Sequence, residues 1–552
     1  MGNHRSDSRR DFLCALGAAS GIPAIEFLSS EPTDSENRSS IEDERSSLNG
    51  RVSTVSELRH TTPSKESEVL VEGYHHPGDG GGGIFYFDTD TDSKDADGGL
   101  AIAPSPDVAA LSGVWRRLQI GNAVNARWFG ALPDPSTNQM NALQSAVDAA
   151  SATTGTLFIP QGTYGVSGKL TLPSGLTLEG AGMGTTALRV LPEATGLQRT
   201  LRARGKPEDY TSDVTVRDLT IDGNRSNLTH IASDNQGHST IYFIYVENVL
   251  FERVEALNAQ GAGFRIGAVK DPHPARNVTL RDCRAVGNYQ NGVAPTLVST
   301  FLMENCYVAN TELVVSVDFE THGPMDVKRN CTVRDCTFED QGVNWLGPPP
   351  NEPEQYRDLT VENCTFINVE SPLNIREIRG CRIVNNTILR TDASLESTPA
   401  VYIIPKEAPT QGVVITGNEI RDRTDAQSAA IYIGNTEGAI ISENQIEGGE
   451  TGIQLLSASR DTLVSQNMIR NVNKHGIAGK FQIPYSRLLD NSIIDNRSPT
   501  RLKNGIYHNG NNQSHAVIVS RNVIRGSQNG INLKDSSAKQ DDPWIFSDNL
   551  IN

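Results

Sequence analysis

Six short segments near the C-terminal end share one pattern: VVITGNEI, AIISENQI, TLVSQNMI, SRLLDNSI, VIVSRNVI and WIFSDNLI. Each carries spaced apolar residues, then Asn, a variable residue and Ile. The shared Asn positions are Asn418, Asn444, Asn467, Asn491, Asn522 and Asn549, with steps of 26, 23, 24, 31 and 27 residues. A repeat of that length means a solenoid, in which each unit buries its apolar face only against its neighbours. The alternation within each segment is that of a strand, not a helix. A second strand follows a polar corner in each unit: AAIYIGN, TGIQLLS, HGIAGKF, NGIYHNG and NGINLKD. One coil of strands and tight turns every two dozen or so residues is a parallel β-helix.

The ladder extends towards the N-terminus. Asn386 in VNNTI fits it, and then Cys replaces Asn at Cys364, Cys336, Cys306 and Cys283, for a mean step of about 27 residues. Weaker coils precede it at Val214 to Asp222 and Leu250 to Ala256. An inward Asn repeated at one corner can hydrogen-bond along the stack and satisfy buried backbone. Cys there is a small apolar filler, so buried free thiols are expected in place of disulfides. Cys331 and Cys381 sit five residues before Cys336 and Asn386, at another inward position. No Cys pair has zinc-ligand spacing beside a His. These Asn and Cys stacks resemble those of the right-handed β-helices of the pectate-lyase-like superfamily, over roughly the last three-quarters of the chain. The resemblance implies an all-β fold: a right-handed parallel β-helix with an N-terminal capping helix and a small preceding β-rich module. It does not by itself imply a reaction, because one fold hosts many chemistries.

In chain order, residues 1–30 are expected to be an export signal. Ser8-Arg9-Arg10-Asp11-Phe12-Leu13 resembles the twin-arginine motif, and an apolar segment follows to Leu28. Residues 31–50 are too polar to order themselves and form a linker. Residues 51–123 form a small β-rich module, with strands expected at Leu100–Ile102 and Val114–Leu118. It resembles the module that precedes the β-helix in phage tailspikes. Its Gly80–Gly83 run is a flexible turn, since no phosphate-loop helix or GK[ST] follows. The alternating Asp88, Asp90, Asp92, Asp95 and Asp97 leave calcium open as a cofactor, although Lys94 stands where a calcium loop needs glycine. Residues 124–552 are the β-helix. VNARWFGA and GTLFIPQGTYGVSGKLTLPSGLTLEGAG resemble the superfamily's opening strands, and Asn141–Ala150 reads as the capping helix, with Leu143, Ala146 and Val147 on one face.

Composition narrows the partners. A net charge of −17 without any basic run argues against nucleic acid. No apolar run approaches the roughly 20 residues of a membrane span. A homo-oligomer, including a trimer, is compatible with the sequence.

Chemistry is expected on the second strand of each coil, whose outward residues form the face a long substrate would meet. One coil is distinctive. In VVSVDFETHG, Val315, Val317 and Phe319 point inward, so Asp318, Glu320 and His322 are expected to face outward together. Carboxylates two residues apart on one face lie within about 7 Å and would split their proton affinities. His322 adds a group that titrates near neutrality. Arg376, two coils on, is expected about 10 Å along the axis. Arg265, Asn344 and Asn374 supply hydrogen bonds, Tyr402 and Tyr432 supply ring faces, and the loop Gly347–Asn351 would wall a groove.

These features point to a secreted enzyme acting on a polysaccharide, with uronic acids as the favoured sugars. In lyase or epimerase chemistry, Arg376 or a cation would neutralise a uronate carboxylate, and His322 or Tyr402 would take the C5 proton. In a hydrolase, Asp318 and Glu320 would be acid and base. The rival class is a non-catalytic carbohydrate-binding or adhesive β-helix. The motifs of polygalacturonases and pectate lyases are missing. Alginate epimerases place Asp and His two residues apart after Tyr-Gly-Phe, whereas Asp318 and His322 are four apart with no such Tyr.

Overall fold

The computed structural model describes residues 50–552 other than 65–66, 109–110, 120, 196–198, 230–237, 270–272, 321–322, 324–325, 347–354, 397, 406–408, 424–425, 457, 481–482, 510–516 and 535–543. The export signal, the linker to residue 49, His322 and the Gly347–Asn351 loop therefore lie outside the described residues.

The N-terminal module is a five-stranded sheet in the spatial order Gly50–Thr54, Glu68–Gly73, Gly83–Asp88, Val114–Arg117, Ala101–Ile102. Phe85, Phe87, Ile102 and Trp115 form its core with Val55 and Leu58 of the short helix Val55–Arg59. The glycine turn closes around a side chain of the protein itself. Arg117 donates to the carbonyls of Gly81, Gly82 and Gly99, and its guanidinium lies 4.5 Å from the Phe85 ring and 5.0 Å from that of Trp128. Trp128 belongs to the β-helix entry, so this arginine clamps the module to the solenoid. In the acidic loop, Asp88 accepts from Arg116 and Thr91, Asp92 accepts from the Lys94 amide, and Asp97 accepts from three consecutive amides, Gly99 to Ala101.

The helix Met140–Ala152 buries Leu143, Ala146, Val147 and Ala150 against the first coil. It covers the core that an open solenoid end would leave to water. Beyond it run two parallel sheets, of 30 and 14 strands among the described residues. A typical coil has three strands: Leu463–Ser465 and Met468–Arg470 in the longer sheet, then His475–Lys480 in the 14-stranded sheet.

The corner between the two strands of the longer sheet is where the repeated Asn sits. The Asn467 Oδ1 accepts from the Asn444 amide at 3.1 Å and from its Nδ2 at 2.9 Å. The Asn467 Nδ2 in turn donates to the Ile441 carbonyl and the Asn491 Oδ1, each at 2.9 Å. The same bonds link Asn386 through Asn549. The residue just before each ladder position turns the corner in a left-handed conformation. Asp282, Asn305, Asp335, Asn363, Asn385, Glu443, Gln466, Asp490, Arg521 and Asp548 all have φ between 52° and 58°, and Gly417 completes the set. Each non-glycine residue there costs about 1 kcal/mol, which the satisfied ladder offsets. At the cysteine positions thiols fill the same slot, and the six cysteines from Cys283 to Cys381 are free and buried.

Asn467→Ala would strand the Asn444 donors and the Ile441 carbonyl, at a cost of about 3 kcal/mol. Cys336→Ala removes only packing, at about 1 kcal/mol. Urea denaturation midpoints measure both; equal costs would show that backbone satisfaction is not what the asparagine contributes.

Candidate functional site

Parallel in-register pairing sets the outward side chains of the 14-stranded sheet in rows along the axis. One row runs Arg202, Tyr242, Arg265, Ala294, Asp318, Asn344, Asn374, Tyr402, Tyr432 and Gln454. Six residues singled out from the sequence thus fall on one line, each about 4.8 Å from the next strand's.

Asp318 differs from its expected state. Val315, Val317 and Phe319 do face the core, but the strand Val315–Asp318 ends at the aspartate. Glu320 is exposed beyond it, so the strand carries Asp318 but not Glu320. Asp318 itself is 6% exposed, and the Asn291 Nδ2 donates to its Oδ2 at 3.2 Å. Burial first, and then the charge of Glu320, push its carboxyl up to about 7 against the opposing pull of Lys328, Asn291 and Arg265. A carboxyl in that state can exchange a proton near neutral pH.

Lys328 lies beneath the site with no exposed surface. Its Nζ donates to the carbonyls of Phe319 at 2.9 Å and Leu346 at 2.5 Å, and it sits 4.8 Å from the Trp345 ring and 4.5 Å from that of Tyr356. Burial lowers its proton affinity to about 7, and Asp318 is the largest influence in the other direction. The lysine thereby ties down the chain just after Asp318 and just after Asn344.

On the far side of Asp318, Arg376 follows the strand Leu373–Ile375 and is half-buried. Its Nε and the Oδ1 of Asn374 are buried without a hydrogen-bond partner. Two unsatisfied polar atoms thus fall within three residues of each other beside this row. Tyr402 and Tyr432 stack on each other, 5.5 Å apart and 10° from parallel, and form a continuous ring surface. Tyr402 is three strands from Asp318, about 14 Å, so the two do not meet at one sugar.

Several side chains of this site escaped the sequence reading. Asn291 precedes Gly292 as Asn504 precedes Gly505 and Asn529 precedes Gly530, so its signal was present in the repeat. Lys328 comes from the other sheet, and no spacing links it to Asp318. Arg199, Arg202 and Arg204 lie before the ladder becomes regular.

The family model for rhamnogalacturonase A/epimerase, pectate lyase-like proteins matches residues 123–389, and that for the right-handed β-helix region matches residues 373–541. The chain belongs to the pectate-lyase-like superfamily. The model for the phage tail protein small four-stranded β-sheet domain matches residues 51–120 of this superfamily member. Among curated relatives, mannuronan C5-epimerase AlgE4 of Azotobacter vinelandii is 34% identical over 209 residues, covering 36% of each chain. Alginate lyase 7 of the same organism is 33% identical over 198 residues, covering 33% of this chain and 22% of its own. The pre-neck appendage protein of Bacillus phage B103 is 24% identical over 196 residues, covering 33% of this chain and 22% of its own. The chain thus spans about a third or less of the length of these relatives.

In this β-helix the raised Asp318 carboxyl ties stability to pH. An aspartate ordinarily ionises near 3.8, so the folded chain holds an extra proton from there to about 7. Stability is full below the lower value and falls as pH rises through the upper one. Asp318→Asn cannot ionise and is expected to gain on the order of 2 kcal/mol over the parent between about pH 4.5 and pH 7.5. Urea denaturation at both pH values measures this; the same pH dependence in both proteins would mean that the carboxyl ionises in its ordinary range.

Proposed function

We propose that the chain is a lyase or C5-epimerase of a uronate polysaccharide, with Asp318 as the proton-accepting group. The observation that carries this reading is a buried carboxyl poised near neutrality on a substrate-length row, with Arg265 two strands before it on that row and Arg376 beside the row two strands after it. The printed activities of the relatives, mannuronan C5-epimerase and alginate lyase, support the same chemistry.

Both reactions begin by removing the C5 proton of a uronate, which is acidified by the adjacent carboxylate once that charge is neutralised. Arg265 and Arg376 each stand about two strands, roughly 10 Å, from Asp318. Long side chains from both sides can reach the carboxylate of a sugar seated over Asp318. The C5–H electron pair then forms the carbanion, stabilised as the enolate of the carboxylate. Loss of the C4 oxygen substituent gives the unsaturated sugar of a lyase, and reprotonation from the opposite face gives the epimer. His322, four residues beyond Asp318, is the second proton-transfer group of this reading. Asn344 and Asn374 hold hydroxyls, and Tyr402 and Tyr432 seat the sugars beyond. Residues 1–30 would take the protein out of the cytoplasm, to where such polymers lie.

Asp318 must be ionised to accept the proton. The rate at low substrate is therefore expected to rise about tenfold per pH unit up to about 7 and to level off above it. Asp318→Asn should lower turnover by about a thousandfold while polymer binding is largely kept. The assay follows the ultraviolet absorbance of unsaturated uronates, reducing ends, and deuterium incorporation at C5 on mannuronate and other uronate polymers, with and without calcium. Reducing ends alone would replace this reading with a hydrolase in which Asp318 and Glu320 are the carboxyl pair. Binding without turnover would replace it with an adhesive protein.

A further inference from the structure

The longer sheet carries charge in two ways, and one of its rows sets Arg329, Arg357 and Arg379 side by side. One outward row on it alternates in sign without a break: Glu179, Arg217, Glu252, Arg281, Glu304, Arg334, Glu362. The register turns that alternation into ion pairs, such as Arg281 Nε to Glu304 at 2.7 Å and Arg217 to Glu179 at 2.8 Å. Cross-strand pairs of opposite charge stabilise a sheet, and like charges do the reverse.

The N-terminal end of the Asp318 row does not alternate in this way. Arg202 and Arg265 occupy the same row as Asp318, two strands apart, with Tyr242 between them. Arg204 is two residues on from Arg202, on the same strand and face. The guanidinium of Arg199 lies 3.9 Å from the centre of the Tyr242 ring. Arg202, Arg204 and Arg265 make no ion pair among the described residues, and the Arg202 Nε is buried without a partner. The cost is felt within the group: burial, then the charges of Arg204, Arg202 and Arg265, lower the proton affinity of Arg199. A chain with 66 acidic and 49 basic side chains does not lack acids to pair with. Leaving these cations together is destabilising unless an anion from outside occupies the site.

We propose that Arg202, Arg204 and Arg265, with Arg199 on Tyr242, form an anion-binding end of the groove. It would hold successive carboxylates of one polymer up to four strands, about 19 Å, from Asp318. The reaction assigned to Asp318 sets which sugar is cut or inverted; the binding claim stands apart from it. The groove is therefore asymmetric, with charge recognition on the N-terminal side of Asp318 and ring stacking at Tyr402 and Tyr432 on the other. Planar guanidiniums suit carboxylates, which they can grip through two hydrogen bonds.

The test is fluorescence polarisation with labelled oligomannuronates, long and short, on the full chain. Carboxyl-reduced oligomers of the same length and a sulfated glycan are measured in parallel. The parent should bind long carboxylated oligomers in a salt-sensitive way and discriminate against the reduced ones. Arg202→Gln with Arg204→Gln should weaken binding of the long oligomer about tenfold and flatten its salt dependence. Arg202→Lys with Arg204→Lys should keep the salt dependence, and Arg204→Glu, at an exposed position, should weaken binding further than Arg204→Gln. Thermal unfolding of each variant confirms folding. Unchanged affinity and salt dependence in the double glutamine variant would overturn the inference, as would equal binding of reduced oligomers. Preference for the sulfated glycan would overturn the carboxylate assignment. A parent without turnover whose arginine variants still lose binding would sink the Asp318 chemistry alone.

Discussion

The structure rests on the corner where one strand of the longer sheet becomes the next. Two constraints meet there. The residue before the ladder takes positive φ, at Asp282, Asp335, Asp490 and their equivalents, so that two short strands can follow each other at an angle. The next side chain then points inward beneath a sharp turn, where backbone groups would otherwise be orphaned. Asparagine suits that position because its amide can accept from one neighbour and donate to another, as Asn467 does between Asn444 and Asn491. Each coil thus completes the hydrogen bonding of the coil before it. No single coil is satisfied alone, which makes the solenoid cooperative along its axis.

That corner also determines how a site can be built. With register locked every turn, the third strand of each coil contributes one outward side chain per row, and neighbours in a row come from residues two dozen or more apart. Asp318, Asn344 and Asn374 are adjacent in space for this reason alone. A row of this kind matches a polymer laid along the axis. The strand spacing fixes the intervals, and substitution of a single coil changes one contact and leaves the rest in place.

The same logic separates what could be read in the sequence from what could not. Period-two alternation together with the ladder places Arg265, Asp318, Asn344, Asn374, Tyr402 and Tyr432 on one face, because both signals are local and additive. Burial of Asp318 is not local. The groups that act on the buried carboxyl include Asn291 from the preceding coil and Lys328 from the other sheet, and a pattern along one strand carries no trace of either. The end of the strand at Asp318 is equally invisible, since Phe319 and Glu320 continue the alternation in sequence. Arg202 and Arg204 were missed for another reason: their coils lack the Asn or Cys marker, so the register that aligns them with Asp318 is seen only in the pairing of Leu201 with Ile241 and of Ile241 with Phe264.

The distribution of charge then separates scaffold from site. A protein of net charge −17 repels a polyanion at long range, so productive contact needs concentrated cation close to the reacting group. On one outward row of the longer sheet the arginines are spent in pairs, as at Arg281, Glu304 and Arg334. Along the Asp318 row the opposite choice is made at several positions: guanidiniums without an ion pair among the described residues at Arg202 and Arg265, an orphaned amide oxygen at Asn374, and the buried carboxyl of Asp318. Each of these is unfavourable for the empty fold, and each becomes favourable against an extended chain bearing carboxylates and hydroxyls. Cations without acidic partners and orphaned polar atoms gathered along the row of a raised carboxyl are a physical mark of function that composition alone does not reveal.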